Sequence, residues 1–198
     1  MSYSLQIARI ISRAKALEFT EFKHPGLGVS FYNVDFSVLF NFPDLLKEAV
    51  KMMLELVKKT IVVSSIDYVG GVLTKGVVFS SILAYELKKP LVLFNRRGFE
   101  VYGGVKSGSN IILVDDVIMT GKTLSRCIKR VKEIIGGNVS DVIVILDRMY
   151  GGRELIEKKG VKVHALADIK GVADALLNLG EIEKEQHEVI ISEIRVQI

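Results

Sequence analysis

The chain has 198 residues, of which 49% are hydrophobic, and it carries a formal charge of +4. This length fits one domain with its own core, and the basic residues are scattered without a long run, which argues against a nucleic-acid-binding surface. The single cysteine, Cys127, excludes an internal disulfide, and its surroundings are typical of helix packing. No apolar run is long enough to span a membrane and no secretory signal opens the sequence, so we expect a cytoplasmic protein.

Residues 1–40 differ in character from the rest of the chain. A short helix leads into a loop-like passage at residues 23–28, and we interpret the whole segment as a hood that caps a sheet. Aromatic residues crowd its last part and the first residues beyond it, namely Phe31, Tyr32, Phe36, Phe40 and Phe42. One small sheet is not expected to bury them all, and apolar surface of this kind usually marks an interface.

Residues 41–170 alternate between two kinds of segment, which we interpret as the core. Short runs rich in β-branched residues predict strands at 68–69, 91–94, 111–114, 142–146 and 161–165. Helical periodicity predicts helices at 44–59, 77–87, 123–135 and 153–159. Continuous apolar strands that alternate with helices indicate right-handed crossovers, so the predicted fold is α/β, with a central, mostly parallel sheet flanked by helices.

Residues 171–198 are interpreted as an extension of the same domain. The chain is predicted to be helical beyond Asp168, and a charged stretch follows at residues 181–188. It ends in Val189-Ile190-Ile191, which fits either an added strand or an interface segment.

The most informative stretch is the loop after the strand at residues 111–114. Two acids, Asp115 and Asp116, follow this strand, and a turn with Thr120, Gly121 and Thr123 leads into a helix. In an open parallel sheet, ligands bind at the carboxyl ends of the strands, and the N–H groups of a helix N-terminus favour an anion. Gly121 lets the backbone approach a phosphate closely, while the two acids fit ribose hydroxyls or a water-bridged Mg²⁺.

Two other interpretations explain this loop less well. Gly121-Lys122-Thr123 is similar to the end of a P-loop, but that motif needs a glycine where Asp116 stands. A plain Asx turn with a helix cap explains one acid and one threonine. It does not explain two adjacent acids at the end of a buried strand together with a turn of hydroxyls and glycine.

Residues 114–123 resemble the signature that type I phosphoribosyltransferases use for 5-phosphoribosyl 1-diphosphate (PRPP). Three further stretches resemble the orotate branch of that family: residues 69–76 its pyrophosphate loop, residues 147–154 its Asp-Arg and Gly-Gly-Arg stretch, and residues 17–35 its hood. The resemblance runs over roughly residues 10–168. It implies the type I phosphoribosyltransferase fold with a small N-terminal hood.

The resemblance also implies roles for individual residues. The implied PRPP-binding residues are Thr74, Lys75, Gly76, Asp115, Asp116, Met119, Thr120, Gly121, Lys122 and Thr123. The implied base-binding residues are Lys23, Phe31, Tyr32, Met119 and Arg148. The implied catalytic residues are Asp115, Asp116, Arg96 and Arg97. The cofactor would be Mg²⁺ carried by PRPP, with no direct protein ligand, and the partners would be PRPP, a nucleobase and a second copy of the chain, with no nucleic acid and no membrane.

The sequence departs from the family in two places. Met119 stands where orotate enzymes usually have a threonine that touches the base, so a polar contact is replaced by an apolar surface. The mobile catalytic loop is shortened: Arg96-Arg97 fit its arginine-lysine pair, but no lysine or histidine follows before Lys106. An ungapped alignment puts Glu100 and Tyr102 at the lysine and the histidine instead, and in either alignment the cationic loop is missing.

Two functions are therefore predicted as alternatives. The first is an enzyme that transfers 5-phosphoribose from Mg²⁺-PRPP to a nucleobase nitrogen, with orotate or a less polar relative as the base. The second is a non-catalytic sensor of PRPP or a nucleotide, because the phosphate loop is retained while the catalytic loop is shortened. No DNA-binding helix pair is evident near the N-terminus, which makes a transcription factor the weaker option.

Overall fold

The N-terminal segment of the computed structural model consists of one helix and two antiparallel strand pairs. The structure describes residues 2–24, 28–95 and 101–196. The first elements are helix α1 (Tyr3–Ala14), strands β1 (Leu17–Glu18), β2 (Phe22–His24), β3 (Gly28–Ser30) and β4 (Asn33–Val34), and a 3-10 helix (Phe36–Asn41). β2 pairs with β3, and this hairpin lies between β1 and β4, which pair with each other. The first helix of the predicted hood is thus confirmed.

The rest of the chain alternates between strands and helices. The elements are α2 (Pro43–Thr60), β5 (Tyr68–Val72), α3 (Gly76–Leu87), β6 (Leu91–Phe94), β7 (Val101–Tyr102), β8 (Asn110–Ile118), α4 (Lys122–Arg130), β9 (Asn138–Asp147), α5 (Gly152–Glu157), β10 (Lys162–Asp168), α6 (Ile169–Asn178) and α7 (Lys184–Val196). A 3-10 turn (Val63–Ser65) precedes β5, and a π-helical turn (Val131–Ile135) extends α4. Every strand and helix predicted within residues 41–170 is present.

The central sheet has the strand order β10-β9-β8-β5-β6-β7. Its first five strands are parallel, and β7 adds an antiparallel edge. From β5 the chain moves outward to β6, and from β8 it moves outward in the opposite direction to β9 and β10. The order of the strands therefore reverses between β5 and β8, and such a point is where open α/β sheets bind ligands.

Both faces of the sheet are buried, and side chains alternate between them along each strand. On β8, Ile112 and Val114 pack into a core formed with α1, α2, α3, α6 and α7. Ile111 and Leu113 pack into a second core formed with α4 and α5, which includes Cys127. Burial raises the pKa of the Cys127 thiol to about 12, which fits the packing role predicted for it.

The C-terminal prediction is corrected in one respect. Val189-Ile190-Ile191 belongs to helix α7 and not to an added strand. Ile190 and Ile194 lie four residues apart on one face of this helix, and both are buried in the core that contains α6. Val189 and Ile191 are partly buried against the same core, so the apolar run packs helix α7 onto the rest of the chain.

Across residues 2–24, 28–95 and 101–196, no helix is both long enough and apolar enough to cross a membrane.

Candidate active site

A cavity of about 310 Å³ opens at the point where the strand order reverses. It is lined by residues from the hood, from the loop after β5, from the end of β8 and the turn that follows it, and from the end of β9. These residues are Asn33, Val34, Val72, Leu73, Thr74, Lys75, Asp115, Asp116, Val117, Ile118, Met119, Thr120, Gly121, Lys122, Thr123, Leu124 and Arg148. Segments that are far apart in the sequence, and that were predicted to act together, therefore meet in one place.

The two acids lie within β8 and not beyond its end. The prediction ended this strand at Val114, but β8 stays paired with β9 as far as Ile118. On its other side, β8 is paired with β5 only as far as Val114. The next residues, Asp115 and Asp116, therefore border the open space beyond the end of β5, and both line the cavity.

Gly76 brings the N-terminus of helix α3 directly against Asp115. A Cβ atom at Gly76 would lie 2.6 Å from Oδ1 of Asp115 and 3.0 Å from its Cα atom, so a side chain does not fit there. Asp115 thus lies beside the positive end of a helix dipole, where a carboxylate is favoured. Gly76, which is predicted to bind PRPP, therefore also has a packing role.

Asp116 is buried, with 8% of its surface exposed. Burial raises the pKa of its carboxyl, while a hydrogen bond with Asp115 and the charge of Lys75 oppose that increase. A carboxyl with a raised pKa, in a cavity and next to a second acid, is typical of a functional site.

We expect that replacing Asp116 by asparagine stabilises the ligand-free protein at neutral pH. With a raised carboxyl pKa, the folded state binds more protons than the unfolded state between the usual value of 3.8 and the folded value, so wild-type stability falls as the pH rises through this window. Asparagine does not titrate, so the difference in unfolding free energy between variant and wild type grows over the same window. Urea unfolding at a series of pH values measures this difference, and a constant difference between acid and neutral pH would contradict the prediction.

The turn after β8 has the geometry of an anion site. Gly121 adopts a left-handed conformation, with φ of 67°, and is the N-cap of α4. Because glycine has no side chain, the first N–H groups of α4 receive no cap from it, and they point toward the cavity end of the helix. The hydroxyl-bearing residues Thr120 and Thr123 line the same space, as does Lys122. These residues could hold a phosphate group, and residues 119–123 are called the phosphate turn below.

Gly152, at the start of α5, supports this turn from behind. A Cβ atom there would lie 2.2 Å from the backbone oxygen of Met119 and 2.7 Å from the backbone nitrogen of Gly121. The backbones of the two loops are therefore in direct contact. Sequence reasoning placed Gly152 in a family motif but gave it no role, because the contact joins segments about thirty residues apart.

Lys75 lies on the opposite side of the cavity, in the loop after β5, where the peptide bond between Leu73 and Thr74 is cis. Its Nζ donates a hydrogen bond of 2.8 Å to Oδ1 of Asp35, which follows the last strand of the hood. Burial alone would raise the pKa of Asp35, but hydrogen bonds from Lys75 and Ser37 outweigh burial and lower it. Asp35 stands in the hood stretch of the family resemblance, but its pairing with Lys75 was not predicted.

Arg148 lines the end of the cavity next to Met119, and its side chain is 1% exposed. Its guanidinium carbon lies 4.2 Å from the centre of the Tyr32 ring and 5.1 Å from that of Tyr150. One of its amino groups donates to Oγ of Ser30 at 3.1 Å, and the other lies 3.7 Å from the sulfur of Met119. The neighbouring acid Asp147 is paired with Arg153 at 2.8 Å.

The other three predicted base-binding residues, Tyr32, Phe31 and Lys23, do not line the cavity. Tyr32 is fully buried beneath the Arg148 guanidinium, while Phe31 is 55% exposed. Lys23 is exposed on the β2–β3 hairpin, opposite Val29. Among the described residues, none of these three lines the cavity itself, so their contact with a base stays a prediction.

Arg96 and Arg97, predicted to be catalytic, lie outside the described residues. The strands on either side of them are described: Leu93 pairs with Tyr102, and Phe94 pairs with Val101, both antiparallel. Six residues, 95–100, separate the paired ends of β6 and β7. The shortened loop predicts a compact hairpin over residues 96–104, of which the structure describes only residue 101 onward.

The residues of this site could accommodate a Mg²⁺ ion that a bound ligand carries. In the described part of the chain, no group of three or more histidine, cysteine, aspartate or glutamate side chains could hold a metal ion. Asp115 and Asp116 do supply hard oxygen atoms beside the anion-binding turn. Mg²⁺ commonly binds one or two carboxylates, substrate phosphates and several waters.

The chain is similar to known proteins in both sequence and structure. Residues 39–171 match the family described as phosphoribosyl transferase domain. An orotate phosphoribosyltransferase of Saccharolobus solfataricus is 30% identical over 197 residues, which are 94% of this chain and 95% of that protein. The crystal structure of orotate phosphoribosyltransferase from Aeropyrum pernix has a TM-score of 0.77 and 26% identity, over 88% of this chain and 99% of that one. UMP synthase of Leishmania donovani, with a TM-score of 0.85 and 18% identity over 96% of this chain and 42% of that one, shares the fold.

The matched segment contains strands β5 to β10, and therefore both acids of β8, the turn at the N-terminus of α4 and the loop that carries Lys75. The elements that form the cavity and the elements that define the family are thus largely the same. The chain belongs to the phosphoribosyl transferase domain family.

Proposed function

We propose that this chain transfers the 5-phosphoribosyl group of PRPP to a ring nitrogen of a nucleobase and releases pyrophosphate. The base is orotate, the substrate named for the relatives that cover most of this chain, or a less polar relative of orotate, because Met119 presents an apolar surface beside Arg148. One observation carries the proposal: the acids of β8, the uncapped turn before α4 and the Lys75 loop line a single cavity where the strand order reverses.

Each part of PRPP has a matching part of the cavity. The 5-phosphate lies against the backbone of residues 119–123, where Gly121 permits close approach and Thr120 and Thr123 donate from their hydroxyls. Asp115 and Asp116 accept hydrogen bonds from the ribose hydroxyls. The diphosphate lies near Lys75. In the free protein Lys75 pairs with Asp35, and on binding it pairs instead with the diphosphate, which carries more negative charge.

Mg²⁺ would accompany the diphosphate and reach Asp115 and Asp116 through water. When bound, it would neutralise negative charge that develops on the leaving pyrophosphate. The side chain of Lys75 contributes charge of the same sign from the protein. Asp115 and Asp116 face the ribose, where positive charge develops as the bond at the anomeric carbon breaks and the base nitrogen attacks with inversion.

Catalysis is favoured over the sensor that the sequence left open. The relatives that match over most of their own length are named as transferases. The shortened loop between β6 and β7 weakens the case for fast turnover, but it leaves the phosphate turn, the acids and Lys75 in place. The test of the proposed function is therefore a measurement of turnover.

We expect orotate turnover that depends on PRPP and Mg²⁺ but is slower than the roughly 10 per second typical of enzymes. The loop between β6 and β7 is short, and Met119 presents a thioether where a hydroxyl usually touches the base. Loss of orotate absorbance, measured with purified protein, gives the rate. Firm PRPP binding without turnover on any base would support the sensor, and a rate near 10 per second would refute the expected effect of the loop.

We also expect a homodimer in solution. The aromatic segment of the hood is only partly buried within one chain: Tyr32 and Phe36 are in the core, whereas Phe31, Phe40 and Phe42 are 55%, 38% and 43% exposed. Exposed aromatic groups favour association with a second copy. Sedimentation velocity at micromolar concentration checks this, and a single monomeric species would contradict it.

A further inference from the structure

Helix α7 places a carboxylate against the buried cation of the cavity. Glu193 accepts hydrogen bonds from the backbone N–H of Phe31 at 2.6 Å and from Oγ of Ser30 at 2.7 Å, and its side chain is 14% exposed. The hydroxyl of Tyr150 donates to the same carboxylate. One amino nitrogen of Arg148 lies 3.9 Å from Oε2 of Glu193, so the two charges form an ion pair.

This carboxylate is held firmly in place. Ile190 and Ile194, on the same side of α7 as Glu193, are 0% and 6% exposed in the main core. Six residues before Glu193 on the same helix, Nε2 of His187 lies 2.7 Å from Oδ1 of Asp174 on α6. Burial and the hydrogen bond with Glu193 raise the pKa of Tyr150, so its hydroxyl stays protonated and remains a donor. A ligand would have to unpack the helix in order to displace Glu193.

The pairing decides how much positive charge a ligand meets at this end of the cavity. Arg148 is the cation that lines the cavity beside Met119, and almost none of its surface reaches solvent, so screening by water is weak. With Glu193 behind it, the pair has no net charge. Met119 adds an apolar surface and not a hydroxyl. The cavity end is therefore suited to a group that is polar but not negatively charged.

We propose that Glu193 is a positioning residue that sets base specificity: by neutralising Arg148, it lowers the affinity of the site for an anionic base relative to a neutral base of the same shape. The inference rests on the proposed function, because it takes the Arg148 end of the cavity as the place of the base. An anionic base must share Arg148 with a fixed carboxylate, and two like charges near one cation repel each other. A neutral base can accept a hydrogen bond from Arg148 without that repulsion.

Orotate and orotamide form a matched pair of ligands for the test, since they differ in charge but hardly in shape. Calorimetric titration near neutral pH, where a carboxylic acid is ionised, gives both dissociation constants. Inorganic phosphate and Mg²⁺ are present so that phosphate fills the phosphate turn. For the wild-type protein we expect orotamide to bind at least as tightly as orotate. A preference of wild type for orotate by about tenfold or more would overturn the proposal, and this comparison needs no variant.

Three variants then separate charge from structure. Glu193→Gln should shift the ratio of the two affinities toward orotate by about tenfold, whereas Glu193→Asp, which keeps the charge, should restore the wild-type preference. Glu188→Gln removes an exposed charge from the same helix and should leave the ratio unchanged. A purely structural role would weaken both ligands together and leave the ratio unchanged in Glu193→Gln, and that result would overturn the proposal.

The titrations test the role of Glu193, and the turnover assay tests the proposed reaction, so each proposal can fail without the other. If no base is turned over but the ratio shifts as expected, the proposed reaction is wrong and the role of Glu193 stands. If turnover is present but the ratio does not move, the role of Glu193 is wrong and the reaction stands. If neither ligand binds to wild type or to Glu193→Gln, both of which are shown by thermal melting to be folded, the base does not lie at Arg148 and the inference is overturned.

Discussion

The double variant Asp115→Asn with Asp116→Asn is expected to bind Mg²⁺-PRPP at least about a hundredfold more weakly than wild type. Hydrogen bonds to a charged group contribute about 1.5–3 kcal/mol each, and the variant loses two charged acceptors. The same change removes both acids through which water could bridge to Mg²⁺. Both effects act on the ligand and not on the fold, because asparagine has nearly the same volume as aspartate.

Calorimetric titration of wild type and the double variant with Mg²⁺-PRPP measures this effect. A matched control removes the same charge elsewhere: Glu55→Gln with Glu86→Gln changes two exposed glutamates on α2 and α3. We expect the control to bind like wild type. Equal affinities in the double variant and wild type would show that the acids of β8 do not contact the ligand.

Stability measurements show whether the double variant loses affinity because it unfolds. Burial raises the pKa of Asp116, so replacing it relieves the folded protein of a buried charge at neutral pH. A protein that loses its ligand while its unfolding free energy stays level or rises has lost a binding group and not its fold. Acids retained at a cost to stability are typical of sites that need the charge for a ligand.

The phosphate turn could be predicted from the sequence because its parts are consecutive. Asp115, Asp116, Thr120, Gly121 and Thr123 lie within nine residues, and a strand, a turn and a helix follow each other in the order that such a site requires. The end of the strand was misplaced for a physical reason. Two acids interrupt the apolar run after Val114, yet the backbone ladder to β9 continues to Ile118 because strand pairing does not depend on side-chain polarity.

The pairings of side chains around the cavity could not be predicted, because each of them depends on a long-range contact. Asp35 meets Lys75 across 40 residues, and Glu193 meets Ser30 across 163. A weak signal for Glu193 was present in the sequence. It follows Ile190 by three residues and precedes Ile194, so a helix would place it beside the apolar face, where an acid needs a partner.

Gly152→Ala is expected to displace the phosphate turn and so to weaken the binding of phosphate and PRPP. The added Cβ atom would meet the backbone oxygen of Met119 at 2.2 Å and the backbone nitrogen of Gly121 at 2.7 Å, and backbone atoms cannot move away as the end of a flexible side chain can. The turn has to shift, which misaligns the N–H groups of α4 with a bound phosphate. We expect the unfolding free energy to fall by about 1–3 kcal/mol, the range for overpacking, and phosphate or PRPP affinity to fall by about a hundredfold.

Urea unfolding and titration with inorganic phosphate and with PRPP measure the two effects separately. Gly104→Ala is the matched control: it adds the same methyl group, nothing lies within 4 Å of the position, and the backbone there has no positive φ. We expect the control to remain within about 0.5 kcal/mol of wild type, as surface substitutions usually do, and to keep its affinity for PRPP. If Gly152→Ala bound PRPP as tightly as wild type, the phosphate would not lie on the backbone of residues 119–123, because that backbone cannot accept the methyl group without moving.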